Sequence, residues 1–159
     1  MVQPIPTSFE NAYSFLKNLL MRHLLRIFFH NREMNQYIKN MVNPKEGENI
    51  IEFSTLIDIL HKKAPGEIIT FKRQVYNNDH KFFLVVNSVR SKFQIDMAEK
   101  FRSVIKKYLL FDMKIIGNLP FDPFMDTAIT SRIPFIVKYP DSDYTIEILK
   151  IISNIRSLG

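Results

Sequence analysis

Residues Ile115 to Pro140 read IIGNLPFDPFMDTAITSRIPFIVKYP, and this stretch decides the fold. Ile115 and Ile116 are β-branched and lead into Gly117, the signature of a buried strand. Gly-Asn-Leu-Pro closes that strand as a turn. Asp122 is a favoured helix cap, with Pro123 pre-set for the first helical position. A second segment bounded by Pro134 and Pro140 follows. The tip of the strand therefore carries Pro120 and Asp122. In open α/β sheets ligands bind outside the carboxyl ends of the strands.

Working outward, Lys81 to Val86 (KFFLVV) is the clearest strand, continuously apolar as a strand covered on both faces should be. Asn87 stands at its carboxyl end. Ser91 and Gln94 form a capping box that opens a helix to about Leu109, with Ile95, Ala98, Phe101, Ile105 and Tyr108 on its core face. Met113 to Leu119 is the next strand. Strand, crossover helix and strand make a right-handed parallel unit. Asp141 or Ser142 caps a last helix, with Ile146, Leu149, Ile152 and Ile155 expected to face inward.

Upstream, Pro4 and Pro6 keep residues 1 to 6 extended, like the tail of a strand, which points to a chain truncated at this end. Thr7 and Glu10 form another capping box. The helix behind them has Phe9, Tyr13, Leu16, Leu20, Leu24 and Phe28 at helical spacing. Leu19, Leu25, Ile27 and Phe29 widen its apolar face, so it is buried or meets a partner. Arg22, Arg26 and Arg32 add a basic strip, for which a membrane surface is a minor alternative. A short helix over 31–45 ends near Val42, and KEGEN (45–49) is a polar loop. Phe53 to Lys63 is a helix that Ser54 can cap, broken by Pro65-Gly66. Glu67 to Val75 suits helix or strand, with helix favoured. YNNDH (76–80) is a turn.

The 159 residues fit one domain, 1–159. The absence of cysteine excludes a disulfide scaffold and thiolate metal sites and fits a reducing compartment. A net charge of +6 permits acidic partners, yet the basic residues are scattered and no basic-aromatic interleaving is visible, so nucleic-acid binding ranks last. No run of about 18 apolar residues is present to span a membrane, and no secretory leader is visible, which makes a cytoplasmic location the default. With only Gly47, Gly66, Gly117 and Gly159, no glycine-rich phosphate loop can be built. His23, His30, His61 and His80 lack metal-ligand spacing. Spacing alone lets Asn87 end a strand and Asp122 cap a helix. The same residues can instead flank a base, because an asparagine amide hydrogen-bonds an adenine edge and Pro and Leu cover its flat face.

Three segments, QPIPTSFENAYSFLK (3–17), KFFLVVNSVRS (81–91) and IIGNLPFDPFMDTAITSRIPFIVKYPDSD (115–143), together resemble the second half of MinD/ParA-type P-loop ATPases, most of all the FlhG-like subgroup linked to flagellar placement and number. The resemblance covers nearly the whole chain, weakly over about 30–75. It implies an α/β fold, a partial doubly wound parallel sheet of about three strands with many covering helices, forming the carboxyl half of a larger nucleotide-binding domain. It implies ATP or ADP as the family's cofactor and a role in cellular positioning. It makes Asn87, Pro120 and Asp122 the adenine-side contacts. The family's phosphate loop, its lysines and its catalytic and magnesium-binding aspartates precede the region matching Gln3, so the chain is not expected to hydrolyse ATP alone. Ile5 stands where the family has an acid that reaches the partner's nucleotide. The partners implied are a second copy or the missing amino-terminal half. A non-enzymatic module that docks a protein through the helix from Ser8 to Phe29 is the alternative.

Overall fold

The computed structural model describes residues 1–42, 51–77 and 82–157. The predicted loop 45–49, residues 78–80 of the predicted turn, and Lys81 lie outside the described residues. In chain order the elements are α1 (Pro6–Ile27), α2 (Arg32–Val42), α3 (Phe53–Lys63), α4 (Pro65–Lys72) with a π-helical turn over Arg73–Asn77, β1 (Phe83–Val89), α5 (Lys92–Tyr108), β2 (Lys114–Pro120), α6 (Met125–Ser131), α7 (Phe135–Lys138) and α8 (Asp143–Arg156). The chain divides into two compact units.

The first unit comprises Met1–Glu10, Phe82–Arg102 and Met113–Gly159. Its sheet has two parallel strands, β1 beside β2. The expectation of a partial doubly wound sheet of about three strands is therefore corrected: the described residues are mostly helical, with one small parallel pair. A third strand is reduced to a single bridge from Val2 to Val86. Val2 donates to the Val85 carbonyl (2.9 Å) and accepts from the Asn87 N–H (2.7 Å). The ladder stops there for a local reason. The Gln3 N–H turns away to the Ser8 hydroxyl at 3.0 Å. Pro4 has no N–H to give. Pro6 is the first residue of α1, where its fixed φ suits a helix start.

Helix α8 packs on β2, and Ile116, Leu119 and Ile151 form a buried cluster there with Val85, Tyr144 and Ile148 against it. Ser142 caps α8 as expected, its hydroxyl accepting from the Thr145 N–H at 3.1 Å. The inward face is not the expected one. Ile146, Leu149, Ile152 and Ile155 are exposed, while Thr145 and Ile151 are buried. Gly117 belongs to β2 rather than to a turn, and a Cβ there would run into Ile151.

The second unit comprises Asn11–Lys81 and Ser103–Asp112. Leu20, Leu24, Phe28, Ile38, Phe53, Ile57, Leu60, Ile68 and Phe71 are buried in it. Helix α3 covers the expected residues, but Glu52 precedes it without a side-chain cap, so Ser54 does not cap it. Pro65 begins α4 rather than merely ending α3. The ambiguous stretch 67–75 is helical, passing into the π turn.

Candidate functional site

Because β1 and β2 are parallel neighbours, their carboxyl ends fall on one edge of the sheet. Phe83 pairs with Lys114 and Val89 with Pro120. Between them the register slips twice, once at Leu84/Val85 and once between Val86 and Val89. The second slip is a bulge holding Asn87 and Ser88, and Ser88 takes a left-handed conformation with φ of 60°. The strand thus extends three residues beyond the predicted end at Val86, and Asn87 lies inside the bulge, two residues before the partner of Pro120.

The amide oxygen Oδ1 of Asn87 is buried and has no hydrogen-bond partner, and the same holds for Oδ1 of Asn118 on β2. Val86 pairs with Asn118, so the two asparagines belong to one patch of the ladder. Nearly all buried acceptors in proteins find a donor, and an amide presents both an acceptor and two donors. Each asparagine therefore leaves an unmet acceptor near this end of the ladder.

Pro120 ends β2 opposite Val89 with its nitrogen turned away from β1, where a missing N–H costs the ladder little. The next N–H, from Phe121, goes back to the Val89 carbonyl at 2.9 Å and ties the loop to β1. Asp122 folds the chain through its side chain: Oδ1 accepts from the Phe124 N–H at 2.9 Å. Helix α6 begins only at Met125, two residues later than Pro123, so Asp122 closes a turn ahead of the helix rather than capping its first residue directly.

Pro120 and Asp122 line a cleft of about 640 Å³ whose other wall is Lys138 to Asp143. Asn87 shares their sheet edge but is not among the residues lining this cleft. Sequence reasoning missed the aromatic groups that frame the loop. The Arg90 guanidinium lies 3.5 Å from the Phe121 ring centre, a cation–π contact. Phe124 stacks on Tyr139 at 5.2 Å and 28°. The signal was the pair of phenylalanines that flank Asp122-Pro123 in FDPF. Burial raises the Tyr144 phenol above its ordinary range, and its ring meets Phe135 edge-on at 5.1 Å. Among the described residues no group of three or more histidine, aspartate or glutamate side chains is arranged to hold a metal ion.

The edge and the adjoining cleft bring together polar amides, a proline-containing rim and flat aromatic faces. No family model, curated protein or solved structure matches the chain. No helix among the described residues is long and apolar enough to cross a membrane.

Proposed function

We propose that the carboxyl edge of β1 and β2 holds the base of a purine nucleotide, as the adenine side of a MinD/ParA-type ATPase that acts in cellular positioning of a flagellum, division site or chromosome. One observation carries the reading: Asn87 and Pro120 stand at the same end of two neighbouring parallel strands, with the Asn87 amide oxygen buried and unpartnered. In this reading the amide takes the base edge, Pro120 covers its face, and Asp122 holds the loop in shape. ATP or ADP is the nucleotide. The chain contributes base recognition, and hydrolysis requires phosphate-binding and magnesium-binding groups supplied from elsewhere. A cytoplasmic location fits the cysteine-free composition.

Calorimetric titration with adenosine, which has a base and no phosphate, tests the base pocket directly. Adenosine is expected to bind, and Asn87→Ala to weaken it about tenfold, the worth of one buried hydrogen bond. Adenosine that fails to bind, or binds the variant equally well, removes the assignment.

A second reading has its own observation. Phe15, Leu19 and Phe29 on and just beyond α1 are exposed, at 66%, 42% and 70%. Apolar side chains left in water at helical spacing fit a protein partner or a second copy of the chain. A Phe15→Ser variant that loses self-association in sedimentation, with adenosine binding intact, would favour this reading.

A further inference from the structure

The second unit carries a groove built by different residues. The wall from α1 presents Arg22 and Arg26, and the wall from α2 presents Arg32 and Lys39, around a concavity of about 810 Å³. On α1 the lining positions Arg22, Leu25 and Arg26 fall at i, i+3 and i+4, and on α2 Arg32, Asn35, Gln36 and Lys39 fall at i, i+3, i+4 and i+7, which places each set on one face. The two helices thus turn their cationic sides toward one shared space. No carboxylate lines it, and among the described residues no ion pair engages any of these four side chains. Like charges gathered in a concavity without a counter-charge repel one another, and the field they sum to attracts anions.

We infer that this groove binds a compact polyphosphate, a small molecule with several phosphate groups. Three of its four cations are arginines, whose planar forks pair with phosphate oxygens in bidentate fashion. Its volume lies within the roughly 300–1,000 Å³ of small-molecule sites. The amides in the walls each spend one donor inside the protein: Asn35 donates to the Leu25 carbonyl at 3.0 Å and Gln36 to Asn40 Oδ1 at 2.9 Å. Four cations against two partly engaged amides make charge the dominant character of the walls, which favours a phosphate cluster. The short loop between the helices is pinned, with Asn31 Oδ1 accepting from the Met34 N–H at 3.0 Å. That cap holds the two cationic walls in place before any ligand arrives, which lowers the ordering cost of binding.

Inorganic tripolyphosphate is the probe, since it has phosphate and no base, whereas adenosine has a base and no phosphate. The two titrations therefore separate this groove from the strand edge. Wild type is expected to bind tripolyphosphate. Arg22→Gln and Arg32→Gln should each weaken it about tenfold or more, and Lys62→Gln, an exposed cation on α3 outside the groove, should leave it unchanged. Circular dichroism confirms that the variants remain folded. Absent tripolyphosphate binding, or affinity equal in wild type and both arginine variants, overturns the inference. So does binding of phosphatidylglycerol vesicles or of oligothymidylate that tripolyphosphate cannot displace, which would assign the groove to a lipid surface or a nucleic acid instead.

Discussion

Replacing Gly117 by alanine tests whether α8 is seated on β2 as described. A Cβ at Gly117 would fall onto the Cγ1 and Cδ1 atoms of Ile151. Ile151 is only 7% exposed and lies in the cluster with Ile116 and Leu119. A β-branched side chain in a helix keeps essentially one χ1 rotamer, so Ile151 cannot swing clear. Overpacking of this kind costs about 1–3 kcal/mol. Against it stands the reduced freedom of the unfolded chain, a gain of about 0.4–1 kcal/mol for Gly→Ala where the backbone allows it. Gly117 has no left-handed φ, so the gain applies and the clash outweighs it. The net effect is a loss of about 1–2 kcal/mol, or roughly 2–8 °C in Tm for a chain of this size. Ile151→Ala alone should cost about 2–5 kcal/mol through the cavity it leaves. In that background Gly117→Ala should become neutral or stabilising, a coupling of about 1–3 kcal/mol. Urea denaturation of the four proteins at constant m-value measures this. Equal costs for Gly117→Ala in both backgrounds, or no cost in wild type, would refute the packing argument.

Ser142→Ala removes the cap of α8 and should cost about 1 kcal/mol, read as a Tm lower by roughly 2–4 °C; Asp141→Ala should cost far less. Burial raises the Tyr76 phenol, and its hydroxyl donates to the Leu109 carbonyl at 3.4 Å. Below the ordinary phenol value of about 10 both the folded and unfolded states keep the proton, so stability does not change with pH on this account. Above it the unfolded chain ionises first, and stability falls as pH rises toward the raised folded value. Urea midpoints at about pH 8 and about pH 11 should diverge less in Tyr76→Phe than in wild type, and an equal divergence would remove Tyr76 as the cause. Leu149 is 55% exposed on α8, so Leu149→Lys should change stability by less than about 0.5 kcal/mol. A loss above 2 kcal/mol would mean that this face is buried against another surface in solution.

The elements that could be read from the sequence were those coded locally. The apolar run before Asn87 and the isoleucine pair before Gly117 gave two strands, because β-branched runs bounded by turn residues have few other uses. The shared edge of Asn87 and Pro120 followed from the parallel crossover, although β1 runs three residues past its expected end at Val86. The inner face of α8 was hidden because apolar residues lie on two sides of the helix: Tyr144, Ile148 and Ile151 pack inward while Ile146, Leu149, Ile152 and Ile155 stay exposed. The polar stripe of Asp143, Glu147, Lys150 and Asn154 has apolar residues on both flanks, so periodicity alone does not choose which flank faces the sheet. The sheet was overestimated for a different reason. The extended reading of residues 1 to 6 was correct through Gln3, but one proline without an N–H and one amide diverted to Ser8 leave a single bridging residue. Gln94 also departs from its expected partner, since its Oε1 accepts from the Arg90 N–H rather than from Ser91. That choice follows the αL turn at Ser88, which no propensity scale foresees.

The bulge at Ser88 connects the strain at this edge to its chemistry. The first register slip adds a residue to β2 and the second adds one to β1, so Pro120 regains the offset with which the ladder began at Phe83. Without the second slip every side chain beyond Val86 would change faces, and Val89 would lose both its pairing with Pro120 and its hold on the Phe121 N–H. The correction rests on a serine at φ of 60°, a conformation that costs a non-glycine residue about 1–2 kcal/mol. Next to it stand two buried amide oxygens without donors, each a further cost of about 1–3 kcal/mol if left unpaired. Both costs fall at the carboxyl ends of the parallel strands, while the cluster beneath α8 is apolar. Strain and unsatisfied polar groups persist where the surrounding structure over-determines them, and they concentrate at binding sites. A ligand edge that donates to the Asn87 amide would offset one of these terms, and that is the ground on which base recognition at this edge is proposed.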